Sequence, residues 1–252
     1  MDYNKILKGI LDIGEAMINS GAEILRVEDS MYRLCRSYGF VRVNCWVISS
    51  NIQATVETPD GEIITQIRHV PGGEMNFDQL DYLNNLSRKM CASTPDAPVL
   101  ASELDKVLNR PRQPKWMHYV AGVMGGAGFA VFFNSDLPDT IVAVLASVII
   151  VALGDLLDKH ENNPLVFNAI ISCVVEVFIL ICVSLGFGHH SGNITVGVVM
   201  LLISGIGFTN GIRDLVHADT LSGIINISRS VLGATGIAIG IALPILLTKG
   251  VL

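Results

Sequence analysis

The spacing of apolar residues changes character near residue 116. From Trp116 onward apolar runs follow one another with short links, and five of them approach the roughly 20 residues that a bilayer's hydrocarbon core asks of a helix: 117–134, 138–157, 165–186, 191–211 and 220–247. One such run fits a buried soluble core; five in succession do not. Ahead of them the pattern is amphipathic. In residues 4–19, Ile6, Leu7, Ile10, Leu11, Ile13 and Met17 recur at helical spacing, and 22–38 reads as a second helix after a break at Ser20-Gly21. The β-branched, alternating stretches 41–58 and 62–70 flank the turn signal Pro59-Asp60-Gly61, which predicts a small antiparallel sheet. Pro71-Gly72-Gly73 ends it, Asn76 or Asp78 is placed to cap a helix reaching Met90, and a short helix is expected around 101–109. The predicted fold is a membrane protein. An α-helical bundle of five transmembrane helices (117–252) is preceded by a small cytoplasmic α+β domain (1–110) and a proline-bearing linker (111–116).

Composition sharpens the division. Half the residues are apolar and 16% are charged, yet thirteen of seventeen Lys/Arg and fifteen of twenty-three Asp/Glu precede residue 116. Short cytoplasmic loops are enriched in Lys and Arg. The cations of RPRQPK (110–115), Lys159 and Arg213 therefore mark one side, while 135–138 and 186–193 have none and mark the other. The N-terminus is expected in the cytoplasm and the C-terminus outside, with Lys249 the single dissenting charge. The opening residues, MDYNKILKGILDIGEAM, are too polar for a cleavable signal peptide.

Several chemistries find no support. Cys35, Cys45, Cys91, Cys173 and Cys182 are scattered without a paired spacing and read as apolar packing. His189 and His190 read as loop residues, so no metal and no cofactor are expected. No phosphate-binding loop is present, which argues against ATP-driven transport by this chain. A cytoplasmic enzyme would have to draw on Glu23, Arg26, Glu28, Asp29 and His69, and no nucleophile, base and orienting residue stand at a diagnostic spacing among them. No catalytic residue is assigned, and an enzyme ranks behind a transporter and a non-transporting regulatory subunit.

Ionisable groups inside the membrane half are costly, about 2.5–3.5 kcal/mol each at a helix centre by insertion scales, and so mark candidate function. In the last span Ser222, Asn226, Arg229 or Ser230, and Gly233 form one polar stripe; in the third, Asn168, Ser172 and Glu176 form another. The two stripes are expected to face each other, with Arg229 close to Glu176. Arg213 and Arg229 are the candidates for binding a carboxylate, because a guanidinium offers it two parallel hydrogen bonds. Asn226, Ser222, Asn210 and Thr209 would complete the polar lining. Glu176 is the first proton-coupling candidate, since burial makes its charge costly, and Asp155, Asp214 and Asp219 come second. Plainer readings stand beside these: Arg213 and Asp214 as a loop pair obeying topology, Arg229 and Glu176 as a structural ion pair. Gly122/Gly126, Gly207/Gly211 and Gly236/Gly240 are spaced for close helix packing, although Gly205, Gly207 and Gly211 also suit a broken helix. In the N-terminal domain Glu23, Arg26, Glu28 and Asp29 crowd one helix, either as a solvated face with a Glu23–Arg26 pair or as a contact with the membrane half.

GAEILRVEDSM (21–31), the β-rich middle, the linker into five spans and TNGIRDL with DTLSGI (209–223) together resemble the threonine/serine exporter family, ThrE. The single five-span block is similar to its YjjP-like half. The resemblance implies an inner-membrane secondary exporter of small carboxylates, threonine and serine or dicarboxylates such as succinate. It also implies a partner, a second small membrane subunit resembling the missing C-terminal half of full-length members; a homo-oligomer in the lipid is the other way to complete a path. No nucleic-acid partner is implied. Where family members often carry a proline before the late glycine, this chain has Ser204-Gly205; Asn226 and Arg229 also depart from the family pattern.

Overall fold

The computed structural model describes residues 2–248 except 74, 112 and 158–162. Arg112, Lys159 and Lys249, three cations of the orientation argument, lie outside the described residues. The chain forms two compact units. One is Met1–Pro111 together with Asn210–Asn226; the other is Arg112–Thr209 together with Ile227–Leu252.

In the first unit α1 (Tyr3–Asn19) begins where the Asp2 carboxylate accepts from the Lys5 amide, and it ends at Gly21, whose φ of +90° suits a residue without Cβ. The helix α2 (Ile24–Ser37) follows, then a meander of β1 (Arg42–Ile48), β2 (Asn51–Glu57) and β3 (Ile63–His69), antiparallel in the order β1-β2-β3. The expected hairpin turn has Gly61 at φ +84°. One face of β2 turns Ile52, Ala54 and Val56 inward onto Leu7, Ile10, Leu11, Met31 and Leu34. Asn76 caps α3 (Phe77–Ser93) through the Gln79 amide, and α4 (Ala97–Leu108) starts earlier than residue 101 because Pro98 fits a helix's first turn. This core of two helical layers and a sheet is what fixes the α2 N-terminus and the β1–β2 turn.

The second unit is helical: α5 (Lys115–Phe132), α6 (Leu137–Leu157), α7 (Pro164–Ser184), α8 (Ser191–Val199), the start of α9 (Gly205–Val216) and most of α10 (Thr220–Thr248). Three described helices, α6, α7 and α10, are long and apolar enough to cross a membrane. The fourth expected span, 191–211, is not one helix. It stops at Val199, turns through residues 200–204, and resumes at Gly205. Glycines set the packing distances. Gly122 and Gly126 receive Val151 and Ser147 of an antiparallel α6, while Gly236 and Gly240 lie against the backbone of Leu165 and Ala169 in α7. A Cβ at any of these four would collide, so close approach is what the small residues provide.

Candidate functional site

The late polar segment and the N-terminal motif meet in the first unit. The chain turns from α9 to α10 at Ala218 (φ +65°), and the Asp219 carboxylate accepts from the Ser222 amide at 3.4 Å. Gly223 sits against Leu215 and the Gly211 carbonyl, 2.7 and 2.8 Å from where a Cβ would stand, so the hairpin closes only on glycine. Its side chains reach residues far earlier in sequence. Arg213 Nη1 donates to Glu23 Oε1 at 2.5 Å. Asn226 Nδ2 donates to Asp214 Oδ2 at 3.0 Å, and Ser49 Oγ donates to Asn226 Oδ1 at 3.2 Å. Asn226 thus bridges a buried carboxylate to the β1–β2 turn. Two residues back on that sheet, the Val47 amide donates to Glu28 Oε1 at 3.0 Å.

Electrostatically the cluster has an excess of acid. Among the described residues Asp214 feels the charges of Asp219, Glu23 and Arg213, and Glu28 that of Asp219, so four carboxyls are linked to a single guanidinium. Burial pushes the Asp214 carboxyl above the usual aspartate range; the Asn226 hydrogen bond opposes this, and the charges of Asp219 and Glu23 reinforce it. Burial likewise raises Glu28, against the Val47 amide and with Asp219 adding to the shift. The hydroxyl of Ser222 is fully buried and has no hydrogen-bond partner among the described residues. An unpartnered buried hydroxyl is costly unless something polar meets it.

Other candidates lie elsewhere. Arg26 is exposed and, among the described residues, its expected pair with Glu23 is not formed, because Glu23 turns to Arg213; Asp29 pairs with Arg33 at 2.9 Å on the solvated face. Asn210 is half-buried, and exposed Thr209 donates to the Gly205 carbonyl of its own helix. In the second unit Asp155 lies 3.9 Å from Lys115. Glu176 is 2% exposed and accepts from Thr195 Oγ1 of α8 at 2.7 Å.

The expected closeness of Arg229 and Glu176 fails for a geometric reason. Asn168 Nδ2 donates to the Gly233 carbonyl and Ser172 Oγ to that of Ile237, each 65 residues ahead, so α7 and α10 run parallel in a fixed register. Glu176 is then level with Ile241, twelve residues or about 18 Å along α10 from Arg229. No ion pair joins them among the described residues, and Arg229 is exposed. Asn168 and Ser172 do face α10, but they meet its backbone rather than its polar side chains.

Ser49 and Thr195 complete the two polar networks and carried no sequence signal: one is a serine in a tight turn, the other a threonine in an apolar run. A single comparison with known proteins finds a match. The model of the ThrE family, described as "Putative threonine/serine exporter", aligns with residues 8–247. No curated protein and no solved structure matches the chain.

Proposed function

The chain belongs to the threonine/serine exporter family, and on that premise we propose that it is one subunit of an inner-membrane secondary exporter of small carboxylates. The substrates are threonine and serine, or dicarboxylates such as succinate, and a second small membrane subunit completes the path. The observation that carries this reading is the Arg213–Glu23 pair, backed by Ser49, Asn226 and Asp214. Glu23 offers Arg213 the same group a substrate would. The pair is half exposed, and such pairs are worth at most about 1 kcal/mol, so a substrate carboxylate displaces Glu23 at little cost. The cluster acts as the cytoplasmic gate, with Ser222 and Asn210 lining the way and Thr209 at its edge.

In the second unit Arg229 receives the carboxylate and Glu176 carries the coupling proton, its carboxyl already engaged by a hydroxyl donor in the bundle interior. Support for five crossings comes from the parallel register of α7 and α10, which obliges the chain between them to return across the bilayer. α8 and the start of α9 make that return, and a crossing in two pieces is a common way for transporters to meet a substrate at mid-membrane. A cytoplasmic N-terminal domain agrees with Arg213 lying in the same compact unit as Met1–Pro111. To test the reading, the chain is reconstituted in proteoliposomes with and without the second subunit, and efflux of labelled threonine, serine and succinate is followed. Partner-dependent efflux of at least one is expected; efflux of none refutes the proposal.

A further inference from the structure

In the second unit Asp136, Asp139 and His190 bring one ligand atom each within 4.8 Å of one another. Asp139 stands in the first turn of α6 with no exposed surface, while His190 ends the connection from α7 to α8. His190 Nδ1 lies 3.0 Å from Asp139 Oδ2 and 3.7 Å from Asp136 Oδ2. His189 Nδ1 lies 3.3 Å from that same Asp136 oxygen. A hydrogen bond explains one carboxylate beside an imidazole. Here His190 Nδ1 stands near oxygens of two carboxylates at once, an arrangement in which a shared cation would relieve the repulsion between them.

We propose that Asp136, Asp139 and His190 bind a divalent transition-metal ion of the zinc class, with His189 or water as fourth ligand. In a tetrahedral zinc site with bonds near 2.1 Å the ligand atoms stand about 3.4 Å apart; His190 lies 3.0 and 3.7 Å from its two carboxylate oxygens, and His189 lies 3.3 Å from Asp136, values on either side of it. The imidazole selects zinc over magnesium or calcium, which take oxygen ligands. The site is also supported from behind. Asp139 Oδ1 accepts from the amides of His189 at 2.7 Å and His190 at 3.3 Å, which leaves Oδ2 directed at the His190 ring nitrogen. Gly188 lets the backbone come this near, since a Cβ there would stand 3.1 Å from Asp139 Oδ1. Oriented ligands of this kind are characteristic of metal sites. A bound ion would tie the start of α6 to the α7–α8 connection.

The test uses the full chain, free of any histidine tag, in detergent. Equilibrium dialysis against zinc chloride is expected to give one ion per chain, with magnesium chloride giving none, and cobalt(II) is expected to give the intense visible bands of a tetrahedral site. Asp136→Asn and His190→Gln, both at exposed side chains, should each weaken zinc binding roughly tenfold or more, while His69→Gln leaves it unchanged. At a given zinc concentration the melting temperature of the native chain and of His69→Gln should rise more than that of Asp136→Asn or His190→Gln. Absence of stoichiometric zinc, an octahedral cobalt spectrum, or equal binding by Asp136→Asn and His190→Gln would overturn the proposal.

Discussion

Glu23 and Arg213 stand 190 residues apart in sequence and meet at one exposed ion pair. If Glu23 holds the place of a substrate carboxylate, Glu23→Gln frees the guanidinium. The variant should bind carboxylate from the cytoplasmic side up to about fivefold more tightly, as an exposed pair worth up to about 1 kcal/mol allows, and its melting temperature should scarcely move. Transport KM reads this directly. At Asp214 the argument concerns protons. Its folded value lies above the ordinary 3.8, so the folded state holds this proton to higher pH than the unfolded chain does. The resulting stabilisation is full below 3.8 and is lost as pH rises through the folded value. Asp214→Asn keeps an oxygen for Asn226 and removes the loss, so its melting temperature should gain on the native chain's as pH rises from acid to neutral. Glu28 is raised too, so part of the dependence persists in the variant. Arg213, Asp214 and Asn226 were legible in the sequence because charge and amide stand out against apolar neighbours. Their partners were not, since Glu23 is one of several acids on its helix and nothing local marks which acid a distant arginine will meet. The Arg229–Glu176 pairing failed for a related reason: periodicity gives the face of a helix and says nothing of its level along a neighbour.

Among the elements, the borders of α6, α7 and α10 fall close to their apolar runs, because a change from apolar to polar positions is what ends a span. Gly205, Gly207 and Gly211 offered a break between α8 and α9, but hydropathy did not place it. Residues 200–203 are Met, Leu, Leu and Ile, with no proline and no charge, so hydropathy continues where the helix does not. Helix packing offers a clean contrast. A Cβ at Gly236 would run into the main chain of Leu165, which cannot rotate away, whereas nothing lies within 4 Å of one at Gly128. Gly236→Ala should therefore destabilise the second unit by about 1–3 kcal/mol, the usual cost of overpacking. Gly128→Ala should be neutral or stabilise by up to about 1 kcal/mol from helix propensity. Thermal melts in detergent separate the two; equal effects would mean that the α7–α10 contact is looser than described.

For the whole molecule, the compact unit that holds the N-terminal domain also holds Asn210–Asn226, a segment from the far end of the chain. Its charges, Arg213, Asp214 and Asp219, were the signal that it differs from the runs on either side. Where it docks was beyond reach of composition, because a sheet turn and a helix N-terminus form the receiving surface and neither is marked by hydropathy. In the proposed cycle, substrate enters at this segment and Glu176 carries the proton. Glu176→Gln should then abolish the pH dependence of efflux while the two subunits still assemble, a result read from efflux at a series of external pH values. The most direct test of the account compares efflux of labelled threonine, serine and succinate from proteoliposomes holding native chain or Arg213→Ala, each with the second subunit. The account predicts efflux of at least one substrate by the native chain and a clear fall, up to about fivefold, in the variant, since a half-exposed carboxylate contact is worth up to about 1 kcal/mol. Equal efflux by both would contradict it.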